Sequence, residues 1–189
     1  MKNSNAQDPK SVTEVNGLLV GSKAPDFKAL DKEEKTFHLG SALETGPVVM
    51  IFYRGHWCPV CNKHLSSIQD SLLQISKKGV TVVAISPQKP EYLEKMSDKT
   101  GAEFRLLYDE NYKIAEAYDV SFTPESKELI IYNTMLNAQL KKSQSDDSQR
   151  LPIPATFIIN QERTIVWRQF DPDYKNRASV KDILSNLPD

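Results

Sequence analysis

The stretch PVVMIFY, Pro47 to Tyr53, carries no charge, and its first polar group is the hydroxyl of its last residue. A strand with apolar side chains on both faces cannot lie at a solvated surface. It belongs in a sheet covered on both sides, the usual arrangement of parallel strands with helices above and below. The chain beyond Tyr53 alternates in the same sense. Leu65, Ile68, Leu72 and Ile75 recur at three- and four-residue steps, an amphipathic helix stopped by Lys77, Lys78 and Gly79. VTVVAIS (80–86) is a second buried strand, followed by a helix from about Glu91 to near Gly101. FRLLYD (104–109) is a third strand, followed by a short helix in NYKIAEAYDV. ATFIIN (155–160) and TIVWRQF (164–170) are two strands joined by a short polar turn, hence a hairpin, and a helix over 179–187 closes the chain. Strand–helix–strand units with right-handed crossovers, then a hairpin and a helix, predict an α/β three-layer sandwich with a central mixed sheet.

Two segments add to that layout. GSKAPDF and KTFHLGSAL, within residues 18–46, predict a short N-terminal hairpin. Residues 121–150 are a helical insertion before the last hairpin, in which Leu129, Tyr132, Leu136 and Leu140 share one helical face ahead of the polar KKSQSDDSQR. Packing of that helix on its own domain is the plain expectation; a homodimer surface or a lid near the cysteines is the sharper one. Residues 1–17 read as a flexible segment and 18–189 as one domain.

Charge excludes some functions. The 24 basic and 25 acidic residues balance to −1, which leaves no field to draw nucleic acid or an anionic membrane. No apolar run approaches the roughly 20 residues of a membrane span. The polar start, MKNSNAQDPKSVTEVNG, has no apolar stretch of the secretory kind, so the chain reads as cytoplasmic.

The only two cysteines are Cys58 and Cys61, where the first buried strand gives way to a helix. Unpaired backbone N–H groups at a helix N-terminus stabilise a thiolate, and Pro59 suits the first helical position because its missing N–H would go unpaired anyway. Cys61 lies about one turn on, within reach of a disulfide. The spacing therefore predicts a redox pair in which Cys58, the more exposed, attacks and Cys61 resolves. A metal is the rival chemistry, since His56 and His64 flank the cysteines. Structural zinc sites draw a second ligand pair from a separate segment, and this chain has none. Haem attachment needs histidine where Asn62 stands. No metal or other cofactor is expected. His64 reads as a solvated helix residue, and Arg54 as a charge facing the site or paired with an acid such as Asp109. Trp57 reads as a cover over the thiols, and Pro154, in LPIPAT, as a lock ahead of a buried strand.

Trp57-Cys58-Pro59-Val60-Cys61 before an amphipathic helix, with Ile153-Pro154 before a late strand, resembles the thioredoxin superfamily. VGSKAPDF, FYRGHWCPVC, ISPQKP and LPIPATFII are similar to the peroxiredoxin-like branch of the alkyl hydroperoxide reductase/thiol-specific antioxidant family, from about Gly21 to the C-terminus. The resemblance implies a thioredoxin-like fold, a cis Pro154 facing the cysteines, and thiol redox chemistry in cell redox homeostasis. Its partners would be a protein disulfide or thioredoxin-type electron donor, and a hydroperoxide as the alternative substrate. The chain departs from the family's Pro-x-x-x-Thr-x-x-Cys pattern: Arg54 falls on the proline, Cys58 on the threonine and Cys61 on the peroxidatic cysteine. The arginine expected before the late strand falls on Pro154. No acidic residue in VVMIFYRGHWC can serve as a buried base, leaving His56 or a water. These residues favour disulfide exchange over peroxide reduction, with a non-catalytic binding module as the third reading. The residues expected to carry the site are Cys58 and Cys61, supported by Arg54, His56, Trp57, Pro59, Ile153 and Pro154.

Overall fold

The computed structural model describes residues 10–188. Its elements run β1 (Lys28–Asp31), β2 (Thr36–His38), α1 (Leu39–Thr45), β3 (Val48–Phe52), α2 (Pro59–Asp70), α3 (Leu72–Ser76), β4 (Thr81–Ser86), α4 (Pro90–Thr100), β5 (Arg105–Tyr108), α5 (Lys113–Ala117), β6 (Ser121–Phe122), α6 (Ser126–Ile130), α7 (Leu140–Ser143), β7 (Leu151–Pro152), β8 (Ala155–Ile159), β9 (Ile165–Phe170) and α8 (Val180–Ser185). Seven strands form one sheet in the order β2-β1-β5-β4-β3-β8-β9. β3, β4 and β5 are parallel, while β8 and β9 on one side and β1 and β2 on the other run antiparallel. This is the mixed sheet of a thioredoxin-like α/β sandwich, with the expected N-terminal hairpin at β1–β2.

β3 is an interior strand between β4 and β8, and its apolar run is explained by burial on both faces. Val49, Ile51 and Tyr53 enter the core beneath α2 and α4, with Leu65, Ile68, Leu93 and Met96. Val48, Met50 and Phe52 enter the opposite core, with Leu39, Leu43, Ile114 and Tyr118. The period of two along an extended chain divides one hydrophobic run between two layers.

Four local expectations are corrected. The single helix expected after the cysteines breaks at Ser71 (φ −110°, ψ 6°) into α2 and α3. The insertion is not one helix. α6 runs into a π-helical turn, Ile131–Met135, and α7 comes after a break, yet Leu129, Tyr132, Leu136 and Leu140 all pack on the core beneath α2. Its two ends are stitched by the β6–β7 ribbon, Ser121 opposite Pro152. Of the segment expected to be loose, residues 1–9 lie outside the described residues. Residues 10–17 are tied down: Lys10 Nζ meets Asp119 Oδ1 at 2.6 Å, Thr123 N donates to Lys10 O at 2.8 Å, and Val15 is buried. Finally, no peptide bond among the described residues is cis, so Ile153–Pro154 is trans.

Candidate active site

β3 delivers the chain to a tight loop, 53–57, before α2 begins. Cys58 N donates to Gly55 O at 3.1 Å, which closes the loop and leaves Cys58 in extended conformation as the N-cap of α2. Gly55 is required there. Its φ is +156°, and a Cβ would sit 2.6 Å from Trp57 Nε1 and 2.7 Å from Gln88 Cδ. Gly55→Ala should therefore push Trp57 or Gln88 aside and destabilise the protein by roughly 1–3 kcal/mol, the usual cost of overpacking. Urea unfolding would measure it, and an unchanged midpoint would refute it.

As the N-cap, Cys58 does with sulfur what serine does with oxygen: its Sγ accepts the Cys61 N–H at 3.3 Å. Pro59 occupies the first helical position, exposed, as expected. Both cysteines are free thiols, and their sulfurs lie 2.6 Å apart. The argument that Cys58 leads because it is more exposed fails, since both are wholly buried.

Charge separates them instead. Arg54 Nη2 lies 3.6 Å from Cys58 Sγ, and Arg177 Nη2 donates to Cys61 Sγ at 3.4 Å. The two sulfurs are hydrogen-bonded to each other. Burial works against ionisation of Cys61, but the hydrogen bond with Cys58 and the charges of Arg177 and Arg54 hold its thiol well below the ordinary range. That same hydrogen bond, then burial and the charge on Cys61, push Cys58 up, with Arg54 opposing. These influences favour the thiolate on Cys61, with Cys58 as the thiol beside it.

Arg54 is buried and does not pair with Asp109, whose carboxylate instead accepts the Ile114 and Ala115 N–H groups at 2.8 and 2.9 Å. Burial opposes its charge, yet the two sulfurs keep it firmly ionised. Its guanidinium donates to Tyr132 Oη at 3.0 Å and lies 3.8 Å from the centroid of the Tyr174 ring. Trp57, also buried, stacks on Tyr132 at 5.2 Å and covers the guanidinium at 5.3 Å. Ile153 and Pro154 share a cavity of about 90 Å³ with Arg54, Glu128, Tyr132 and Tyr174. In trans form, Pro154 still closes this side of the site ahead of β8.

Neither flanking histidine is turned to the sulfurs. His56 engages Gln88, its backbone N–H donating to Oε1 at 2.8 Å, and its ring packs on Tyr92. Burial lowers its pKa, so it is neutral at pH 7 and supplies no charge to Cys58. His64, expected in solvent, is buried, with Nε2 2.9 Å from Ala178 O. Acceptance by that carbonyl identifies Nε2 as the protonated nitrogen, and the bond anchors the loop that carries Arg177.

Arg177 and Tyr174 join the site without any mark in the sequence that they would, and Tyr132 joins it from the face of the insertion read in the sequence as a homodimer surface or a lid. Tyr174 and Arg177 lie in FDPDYKNRAS, which reads as a turn capping the last helix. Ser179 does cap α8, accepting Asp182 N at 3.1 Å. Nothing in that turn signals a sulfur 116 residues earlier.

The AhpC/TSA family model matches residues 20–168. Over 106 residues the chain is 30% identical to Peroxiredoxin Bcp of Escherichia coli, covering 56% of this chain and 67% of that protein. Over 113 residues it is 28% identical to Thiol-disulfide oxidoreductase ResA of Geobacillus thermodenitrificans, covering 59% and 64%. Among solved structures, Peroxidoxin BcpB from Mycobacterium tuberculosis superposes with a TM-score of 0.64 at 20% identity, over 80% of this chain and 84% of that one, a likeness of fold.

Proposed function

This chain belongs to the AhpC/TSA family, and we propose that it is a thiol oxidoreductase whose Cys58–Cys61 pair cycles between dithiol and disulfide by thiol–disulfide exchange. One observation carries the reading: two free sulfurs 2.6 Å apart at the start of α2, each within reach of a guanidinium. A disulfide bond is about 2.05 Å long, so closing it asks for side-chain adjustment and no remaking of the helix. The Cys61 thiolate attacks one sulfur of a substrate disulfide and expels the other as a thiolate. Cys58 then gives up its proton, attacks Cys61 and releases the second thiol. The protein gives up two electrons and the Cys58 proton, a second proton comes from solvent, and the substrate leaves as two thiols. A thioredoxin-type dithiol, in the cytoplasm, would reverse the sequence.

A second reading changes only the oxidant. If Cys61 attacks the terminal oxygen of a hydroperoxide, the O–O bond breaks, an alcohol or water leaves, and Cys61 becomes a sulfenic acid. Attack by Cys58 then forms the disulfide and expels water. Three features favour this oxidant. The thiolate falls on Cys61, the position of the peroxidatic cysteine in the motif, and Arg54 and Arg177 supply charge that the replacement of arginine by Pro154 removes. The cavity beside Arg54, about 90 Å³, has room for a few water molecules but not for a polypeptide loop.

Stopped-flow oxidation of the reduced protein by hydrogen peroxide and by a protein disulfide, in parallel, tests both. We expect at least one to react much faster than with free cysteine, with a mass loss of two hydrogens located to the Cys58–Cys61 peptide. Free-cysteine rates with both oxidants would sink the redox reading and leave a thioredoxin-like binding module.

A further inference from the structure

Among the described residues no carboxylate lies within ion-pair distance of Arg54, although its side chain is only 2% exposed. Buried guanidinium groups are ordinarily neutralised by an acid. This one is enclosed by Tyr132 Oη at 3.0 Å, Cys58 Sγ at 3.6 Å, and the rings of Tyr174, Tyr132 and Trp57 with centroids 3.8, 5.0 and 5.3 Å from Cζ. The difference bears on the chemistry. A carboxylate would hold the guanidinium as firmly, but it would cancel the positive charge where the thiolate needs it. A phenol and three π faces fix the plane of the group and leave the charge intact.

We infer that Tyr132 is a positioning residue whose hydroxyl aims the Arg54 guanidinium at Cys58 Sγ, beside Cys61, so that the insertion at 121–150 serves the chemistry as well as the core. The inference rests on the proposed redox role of Cys58–Cys61. The hydroxyl is committed on both sides: it accepts from Arg54 Nη1 and donates to Glu128 Oε1 at 3.4 Å. That leaves it one orientation. The π-helical turn Ile131–Met135 accounts for its placement, since the widened turn directs Tyr132 inward while Ile130, Ile131 and Met135 face solvent. Tyr132 is the point at which the insertion touches the charge beside the sulfurs, and its ring also stacks on Trp57.

The test compares wild type, Tyr132→Phe and Tyr132→Leu by thiolate absorbance and by the pH profile of alkylation. Tyr132→Phe keeps the ring over the guanidinium and loses the bond that aims it. We expect the first thiol ionisation of the pair to rise by about one pH unit, a tenfold loss of thiolate below the transition, and to rise further in Tyr132→Leu. The alkylation rate on the high-pH plateau should stay the same, because the sulfur itself is unaltered. A residue that only packs would lower the melting temperature and leave the profile alone. If both variants titrate with the wild type, positioning by Tyr132 is wrong and the redox reading stands. If the wild type itself titrates as an ordinary thiol near about 8.5, the redox reading fails, and this inference with it. Should Tyr132→Leu fail to fold, Tyr132→Phe alone decides.

Discussion

Cys61→Ser should remove the neutral-pH thiolate and turnover with it, whereas Cys58→Ser should keep the thiolate and stall after the first bond-making step. The asymmetry follows from the charges around the pair. In Cys58→Ser, a hydroxyl still donates to Cys61, Arg177 still sits against Cys61 Sγ, and Arg54 remains nearby. In Cys61→Ser, the remaining thiol loses the Cys61 hydrogen bond that pushes it up most, and keeps its burial, which disfavours the thiolate, against Arg54, which favours it. A thiol at the ordinary pKa of about 8.5 is only about 3% ionised at pH 7. On that account alone the leading step should slow by about 30-fold, and the absence of a resolving partner ends turnover. Absorbance of the thiolate at pH 7, together with mass spectrometry of the trapped adduct, reads both variants. If Cys61→Ser keeps the thiolate and Cys58→Ser loses it, the order of attack is reversed, and Cys58 leads, as its place at the helix N-terminus would suggest.

His64 should cost the fold about 3 kcal/mol as pH drops from about 6.5 to 4, a share read from the difference between wild type and His64→Gln. Burial, then the nearby charge of Arg177, pushes the His64 pKa down to about 4 in the folded protein, against about 6.5 in an unfolded chain. Between those values the unfolded chain binds a proton that the folded one refuses. The contribution is therefore fully present above pH 6.5, shrinks as pH falls, and is gone by pH 4. The difference of about 2.5 pH units at 1.36 kcal/mol each gives the figure. His64→Gln keeps a donor for Ala178 O and has nothing to titrate. Urea unfolding from pH 7.5 to 4.5 should show a shallower decline for His64→Gln than for wild type. Parallel declines would show that His64 is not held neutral by the fold.

The parts of this protein that are legible in the sequence are those with short-range causes. Alternation along β3 (Val49, Ile51 and Tyr53 against Val48, Met50 and Phe52) follows from strand geometry and a sheet covered on both sides. Cys58 as N-cap and Pro59 at the first helical position follow from the unpaired N–H groups that begin any helix. The motif therefore locates the sulfurs correctly. It misassigns their surroundings because each neighbour's role depends on what packs against it from elsewhere. His56 reads in the sequence as a support for Cys58, but Gln88 and Tyr92 claim it. His64 reads as a solvated helix residue, yet the turn before α8 folds back over it.

The sequence by itself settled an α/β sandwich with a mixed sheet and two thiols one helical turn apart, because periodicity and capping act over a few residues. The tertiary structure alone supplies the charges that favour the thiolate on Cys61. That outcome depends on Arg177, brought from 116 residues away, and on Tyr132, brought from 78 residues away to orient Arg54. Electrostatic fields at a buried site are sums over space. Residues remote in the chain entered that sum only when β9, α8 and the insertion closed over α2.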